Sequence, residues 1–415
     1  MQRRHWLRAG VAALLPLPGL LKARVSAPRV VVIGGGFAGT ACARALKKDQ
    51  PQFNVTLVER DPVYVACPLS NAVIVGQREI AAQRFGHAAL AAAGVTLLAQ
   101  EAAAVDAVAQ SVTLADGTRL SYDRLVLAPG IALLWGAIEG YDETAASSMP
   151  HAWLAGEQTL LLKRQLQAMD DGGLVVISVP HNPMRCPVAP YERASLIAHA
   201  LKTRKPRSKL LLLDAKDVFP QQAQFQEAWR ELFPGLIEWI GLSGGGEVNA
   251  VEPNTRTLVT DFERHRAAVA NVIPPQKAGR IAELAGVADR SGWCPVDALS
   301  FESKLQPKVH VIGDAAQTAA LPKSASGAVA QAEACAAAVA ARALGQMPTP
   351  ARLDSACYSL FAPVQGLSIR GSYAVVDGQW AEVAGSAKVS PRAARQAEAQ
   401  AGEDWFRALT TKVFA

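Results

Sequence analysis

Arg29-Val30-Val31-Val32-Ile33-Gly34-Gly35-Gly36-Phe37-Ala38-Gly39 is the stretch from which the fold can be read. Its Val-Val-Val-Ile run is continuous and β-branched, as a strand buried on both faces requires. The glycines fit G-x-G-x-x-G: Gly34 permits a tight turn, Gly36 lets a pyrophosphate approach the backbone, and Gly39 lets a helix pack against the sheet. The Ala-rich residues 40–47 continue as that helix, with its N-terminus toward the phosphate charge. A second strand, Asn54–Val58, closes on Glu59, where a dinucleotide fold ordinarily accepts a ribose diol. Strand, turn, helix, strand and acid together specify a dinucleotide-binding unit.

Two later segments extend it. Leu125-Val126-Leu127-Ala128-Pro129-Gly130 is a strand running into a turn after a hairpin-like region over 112–120. Val309-His310-Val311-Ile312-Gly313-Asp314 is another strand, ending in Gly-Asp. With the first fingerprint these resemble the FAD domain of the two-dinucleotide-fold flavoprotein reductases. The resemblance makes Ala128, Gly130 and Gly313 cofactor contacts and Asp314 the acceptor of a ribityl hydroxyl. Between the two segments lies a second α/β unit: a strand over 172–178, a helix over 193–202 and a strand over 209–214. A nicotinamide site would need glycines just after Ile177, but the chain reads Val179-Pro180-His181-Asn182-Pro183-Met184-Arg185-Cys186-Pro187. Prolines offer no amide to a pyrophosphate. The fold of a second nucleotide domain is expected without its ligand.

The 415 residues call for two or three domains, and a chain half apolar and 19% charged is not disordered. The formal charge of +6 is mostly local: Arg3, Arg4, Arg8, Lys22 and Arg24 precede residue 28, where there is no acid. The remainder is close to neutral, which removes nucleic acid as a default partner. Residues 3–8, Arg-Arg-His-Trp-Leu-Arg, precede a short apolar stretch broken by Pro16 and Pro18 and a small-residue exit at 23–27. This pattern describes a twin-arginine export signal over 1–27 and places the mature chain in the periplasm. No later stretch reads as an integral membrane segment.

Six cysteines, at 42, 67, 186, 294, 335 and 357, form no C-x-x-C pair and no Cys/His set at zinc spacing, so no metal site is expected. Three occur in distinctive strings: Tyr64-Val65-Ala66-Cys67-Pro68-Leu69-Ser70-Asn71, Met184-Arg185-Cys186-Pro187-Val188-Ala189-Pro190-Tyr191-Glu192-Arg193 and Asp354-Ser355-Ala356-Cys357-Tyr358-Ser359. These strings resemble the flavoprotein subunit of flavocytochrome c sulfide dehydrogenase. So do Pro150-His151-Ala152-Trp153, Ile273-Pro274-Pro275-Gln276, Gly292-Trp293-Cys294-Pro295-Val296-Asp297 and Pro322-Lys323-Ser324. The resemblance runs from about Val30 to the C-terminus.

It implies FAD held covalently through Cys67 and a redox disulfide between Cys186 and Cys357 beside the ring. The residues alone leave a purely structural bridge equally open. Glu192 is implied as a proton acceptor near the disulfide, with an ion pair to Arg193 or Arg185 as an equal alternative. Lys323 is implied as a positive charge near the flavin's pyrimidine side. Cys42, Cys294 and Cys335 are expected to be packed and structural. The implied activity is oxidation of sulfide to sulfur or polysulfide, with electrons leaving to a c-type cytochrome partner; the chain has no C-x-x-C-H, so haem belongs to that partner alone. Alternatives are a thiol-regulating or activating flavoprotein of a sulfur-oxidation system and a sulfide:quinone oxidoreductase.

The expected architecture is α/β, with two Rossmann-like, glutathione-reductase-like dinucleotide domains and a small C-terminal α+β interface domain. The FAD-binding domain takes 28–138 and 276–347, the second Rossmann-like domain 139–275, and the interface domain 348–415. Its Tyr358, Trp380, Trp405 and Phe406 either line an electron route or form a small core.

Overall fold

The computed structural model describes residues 27–415, and the expected export signal lies, but for Ala27, outside them. Strand β1 (Arg29–Ile33) turns at Gly34 into α1 (Phe37–Asp49), and β2 (Asn54–Val58) returns parallel to β1. A short antiparallel hairpin, β3 (Val63–Val65) with β4 (Arg84–Gly86), sets Tyr64 opposite Phe85. β5 (Thr96–Leu98) and β6 (Arg124–Leu127) add parallel strands on either side. The hairpin expected over 112–120 is part of a three-stranded antiparallel sheet that starts earlier, at Ala102.

The second unit contains β7 (Leu174–Val179), α2 (Ala189–Arg204), β8 (Lys209–Asp214), β9 (Ile237–Ile240) and β10 (Val269–Val272), in the parallel order β9-β8-β7-β10. Helix α2 begins four residues before the expected Arg193. Pro190 sits in its first turn, where proline is tolerated because the N–H groups lack intrahelical partners. The earlier start places Glu192 in the helix's opening turn and Arg193 directly after it.

β11 (Val309–Val311) then re-enters the first sheet, completing the parallel order β11-β6-β1-β2-β5. It leads into α3 (Ala325–Ala343), capped by Ser324, whose side chain accepts from the Gly327 N–H. The C-terminal unit is an antiparallel sheet of β12 (Arg352–Ala362), β13 (Gln365–Val376) and β14 (Gln379–Glu382), followed by the 20-residue α4 (Arg395–Phe414). Helix α4 turns Ala399, Phe406, Val413 and Phe414 inward. Arg395 joins this unit to the second one through Glu231 at 3.0 Å and Glu227 at 3.2 Å, and Arg392 reaches both carboxylates at 2.9 Å.

The glycine turn is held by close contact. Gly34 has φ +104°, and a β-carbon there would lie 2.3 Å from the Ala128 carbonyl oxygen. At Gly39 the same atom would lie 1.8 Å from the Gly34 oxygen, where backbone stands on both sides of the clash. Gly39→Ala is therefore expected to cost more than about 3 kcal/mol and to abolish FAD retention. Denaturant melts and the flavin absorbance of the purified variant check both effects.

Candidate active site

At the carboxyl ends of β1, β2 and β6 the first unit opens into a cavity of about 1240 Å³. Gly34, Gly36, Glu59, Cys67, Ala128, Gly130, Cys186, Gly313 and Asp314 line it, as do Tyr64 and Arg185, for which the sequence suggested no cofactor role. Glu59 reaches the nucleotide end but is partly engaged: Oε2 accepts the Gly35 N–H at 2.6 Å and Oε1 accepts that of Asp61 at 2.9 Å. It thus shapes the turn as well as facing the cavity.

Asp314 supplies the test of fit to FAD. Its Oδ1 is buried without a partner, and burial raises its carboxyl above the usual range while Arg185 and Lys323 pull it back. A buried acceptor without a partner, on a residue of the cavity wall, wants a donor, and a polyol hydroxyl is one. Together with the glycine turn, the residues fit the cofactor.

Lys323 is anchored to the backbone beside Asp314. Its Nζ donates to the carbonyls of Asp314 at 2.7 Å and Ala316 at 2.8 Å, and lies 4.1 Å from the centre of the Trp293 ring. Burial lowers its pKa to about 8. It is not among the residues lining the cavity, so its charge acts through the 314–316 turn.

The loop after β7, where prolines replace a phosphate-binding turn, instead faces the first unit. Cys186 adopts φ +52° and its N–H donates to the Lys323 carbonyl at 2.8 Å. The Arg185 N–H donates to Gln276 Oε1 at 2.9 Å, and its guanidinium donates to the Trp153 carbonyl. Cys357 arrives on β12 from the C-terminal unit. Cys186 and Cys357 are free thiols in the structure, and each is raised chiefly by burial. Cys357 and Glu192 also raise Cys186, whereas the nearby hydroxyls of Ser324 and Ser355 moderate Cys357. The tertiary fold thus brings together two thiols far apart in sequence, with one buried carboxyl near both.

Glu192 forms neither expected ion pair. Its Oε2 accepts from Asn71 Nδ2 at 2.7 Å and its Oε1 from the Leu360 N–H at 2.9 Å. Arg193 turns to Asn71 Oδ1 at 3.0 Å, Asn271 Oδ1 at 2.8 Å and the carbonyls of His151 and Ala152 at 3.1 and 2.6 Å. Asn71 stands between acid and base because its amide can serve one with each end. Burial raises the Glu192 carboxyl and lowers Arg193 to about 9. Asn71 was missed as a site residue; its one sequence signal is a polar side chain four residues after Cys67.

The second nucleotide site is filled from within. Asp214 closes β8 where a dinucleotide domain presents its ribose acceptor. Here Oδ2 accepts from the Tyr191 hydroxyl at 2.6 Å and Trp239 Nε1 at 3.0 Å, while Oδ1 accepts from Lys216 at 2.5 Å. Cys42, Cys294 and Cys335 are buried, in keeping with packing roles. Trp380 stacks on Phe301 at 5.8 Å and Trp405 meets Tyr358 at 5.5 Å. Among the described residues, no group of three or more His, Cys, Asp or Glu is placed to hold a metal ion.

Three family models match the chain. Residues 28–159 match the pyridine nucleotide-disulphide oxidoreductase model. Residues 159–274 match the central part of the sulfide dehydrogenase (flavocytochrome c) flavoprotein chain, and 349–414 match the flavin-binding part of flavocytochrome c sulphide dehydrogenase. The flavoprotein chain of that dehydrogenase from Chlorobaculum thiosulfatiphilum is 56% identical over 45 residues, 11% of this chain and 94% of the relative. The mitochondrial sulfide:quinone oxidoreductase of Mus musculus is 24% identical over 296 residues, 69% of this chain and 65% of that protein. The sulfide-quinone reductase of Aquifex aeolicus is 30% identical over 187 residues, 44% of this chain and 42% of that protein. These two matches thus span less than two thirds of their relatives. The solved structure of sulfide:quinone oxidoreductase from Aquifex aeolicus has the same fold, with a TM-score of 0.74 at 19% identity, covering 94% of this chain and 93% of that one.

His151 offers a pH test of how this site is braced. Its Nδ1 accepts the Trp153 N–H at 2.9 Å, and burial, with Arg193 and Arg185 nearby, lowers its pKa to about 3. The unfolded chain takes up this proton near pH 6.5 and the folded chain does not, so stability falls as pH drops through that window. His151→Asn keeps an acceptor but cannot titrate. Between pH 7 and pH 4 the wild type is expected to lose on the order of 3 kcal/mol relative to this variant. Paired denaturant melts measure the difference.

Proposed function

Because the chain belongs to the flavocytochrome c sulfide dehydrogenase flavoprotein family, we propose that it is the flavin-bearing subunit of a sulfide-oxidising enzyme. In this reading it acts in the periplasm after twin-arginine export and delivers electrons to a c-type cytochrome subunit carrying the haem. The observation that carries it is Cys186 on the wall of a cavity fitted for FAD, with Cys357 and the buried Glu192 close enough to raise its thiol. Filling of the second nucleotide site by Tyr191, Trp239 and Lys216 argues that no pyridine nucleotide supplies the electrons.

The working form has a bond between Cys186 and Cys357. Hydrosulfide attacks one of its sulfurs, forming a new S–S bond and expelling the other cysteine as thiolate. The proton left on the persulfide passes to Glu192, whose burial-raised pKa makes it a better base than an exposed carboxylate. A second hydrosulfide attacks the outer persulfide sulfur, releases a two-sulfur product and leaves both cysteines reduced. Arg185, on the cavity wall beside Cys186, draws the anion inward. Gly34, Gly36 and Glu59 would hold the nucleotide end of FAD, Asp314 its ribityl chain, and Cys67 a covalent link. Bound FAD would supply the two-electron acceptor that restores the disulfide and can release those electrons singly.

A second reading, sulfide:quinone reduction, draws on the shared fold. It is disfavoured by α4, whose apolar residues Ala399, Phe406, Val413 and Phe414 are buried and present no face to a bilayer. Among the described residues no helix is long and apolar enough to cross a membrane.

Anaerobic sulfide titration is expected to bleach the flavin and reduce added cytochrome c, whereas NADH does neither. Glu192→Gln should slow bleaching by about 10²- to 10⁴-fold, and Cys186→Ser or Cys357→Ser should stop it. Rapid reduction by NADH, or a spectrum indifferent to sulfide, would overturn the assignment; indifference would favour a regulatory flavoprotein.

A further inference from the structure

Cys67 lies in a loop framed by hydrogen bonds on both sides. Gln83 is fully buried, and its Nε2 donates to the carbonyls of Ala66 at 2.8 Å and Pro68 at 2.5 Å, the two residues flanking the cysteine. Its backbone oxygen also accepts the Ala66 N–H at 2.8 Å. The amide is oriented from behind: Arg78 Nε donates to Gln83 Oε1 at 2.7 Å, and Arg78 Nη1 donates to Glu403 Oε2 on α4 at 2.8 Å. The guanidinium lies 4.9 Å from the centre of the Phe406 ring on the same helix. A continuous polar chain thus runs from α4 to the two carbonyls beside the Cys67 thiol.

The end of α4 reaches the same loop by a second route. Phe414 stacks on Tyr64 at 5.5 Å and on Phe85 at 5.0 Å, the facing pair of the β3–β4 hairpin. Arg44 on α1 donates to the neighbouring Val413 carbonyl at 3.2 Å. Tyr64 stands three residues before Cys67, with its ring over Gly36. Hairpin and loop are therefore held by a helix more than 300 residues away in sequence.

We propose that α4 is the positioning element for covalent flavin attachment, with Gln83 framing the Cys67 turn and Phe414 locking the hairpin that carries it. The inference rests on the reading above that FAD is bound through Cys67. Attachment forms a bond between Cys67 Sγ and the 8α carbon of FAD. Thiol and methyl group each give up a proton, the electron pair passes to the ring, and dioxygen or the cytochrome removes it. Such a bond requires the sulfur at one place relative to a bound methyl group, so a loop free to shift by about 1 Å reacts about 10²-fold more slowly.

The experiment uses the full chain made in flavin-depleted cells and then supplied with FAD. Three quantities are followed: the mass of the denatured chain with time, the affinity for FAD before attachment, and the thermal midpoint. Gln83→Glu keeps the acceptor for Arg78 but loses the donor to both carbonyls. It is expected to bind FAD near wild-type affinity and attach it about 10- to 10²-fold more slowly. Phe414→Ala should slow attachment in the same way, and Phe414→Tyr should restore it. Wild-type attachment rates in both Gln83→Glu and Phe414→Ala would overturn the proposal. So would losses of FAD affinity and thermal midpoint that account for the whole effect. A wild-type chain without covalent FAD, or a Cys67→Ala chain retaining it, overturns the attachment reading itself and is distinguished by that control.

Discussion

Three structural units meet at one buried polar network, and the site depends on its being complete. Glu192 and Arg193 open a helix of the second unit, Asn71 comes from the first, and the Leu360 N–H comes from the C-terminal sheet. Asn271 and the carbonyls of His151 and Ala152 close the set. A buried carboxylate and guanidinium are expensive to desolvate; the carboxylate's partners come from the first and C-terminal units, while the guanidinium is held by Asn71 of the first unit and by groups of its own unit. Displacing the first or the C-terminal unit would take one of the two hydrogen bonds from the buried Glu192 carboxylate. The same network holds Glu192 near Cys186 and Cys357, so rigidity and chemistry come from one set of bonds.

The second unit has the form of a nucleotide domain and a different use. Its first turn carries prolines instead of glycines, and its ribose-type acid is occupied by tyrosine, tryptophan and lysine. The loop that would have wrapped a pyrophosphate instead delivers Arg185 and Cys186 to the neighbouring cavity. A parallel sheet directs the loops at its carboxyl ends to one side, so a change of loop chemistry redirects the site without altering the fold. The C-terminal unit supplies Cys357 and, through Glu403 and Phe414, braces the loop bearing Cys67.

Much of this was legible in the sequence because parallel strands and nucleotide turns obey local rules. The β-branched run at 30–33, the glycines at 34, 36 and 39 and the strand closing on Glu59 each state their conformation within a few residues. Helix α2 starts four residues before the expected Arg193, with Pro190 in a first turn that tolerates it. The C-terminal helix went unread because its apolar residues are sparse among charges and only tertiary burial reveals their common side.

The sequence by itself determined the two nucleotide-type units, the phosphate turn and the prolines where a second phosphate turn would stand, all of which are matters of local residue type and order. Only the tertiary structure decided what those residues touch. Asn71 separates Glu192 from Arg193, Lys323 is tied to backbone carbonyls, and Asp314 keeps one buried oxygen without a partner. The physical reason is that a buried polar group settles on whichever partners the packing of distant segments leaves within about 3 Å, and no spacing along the chain encodes that competition.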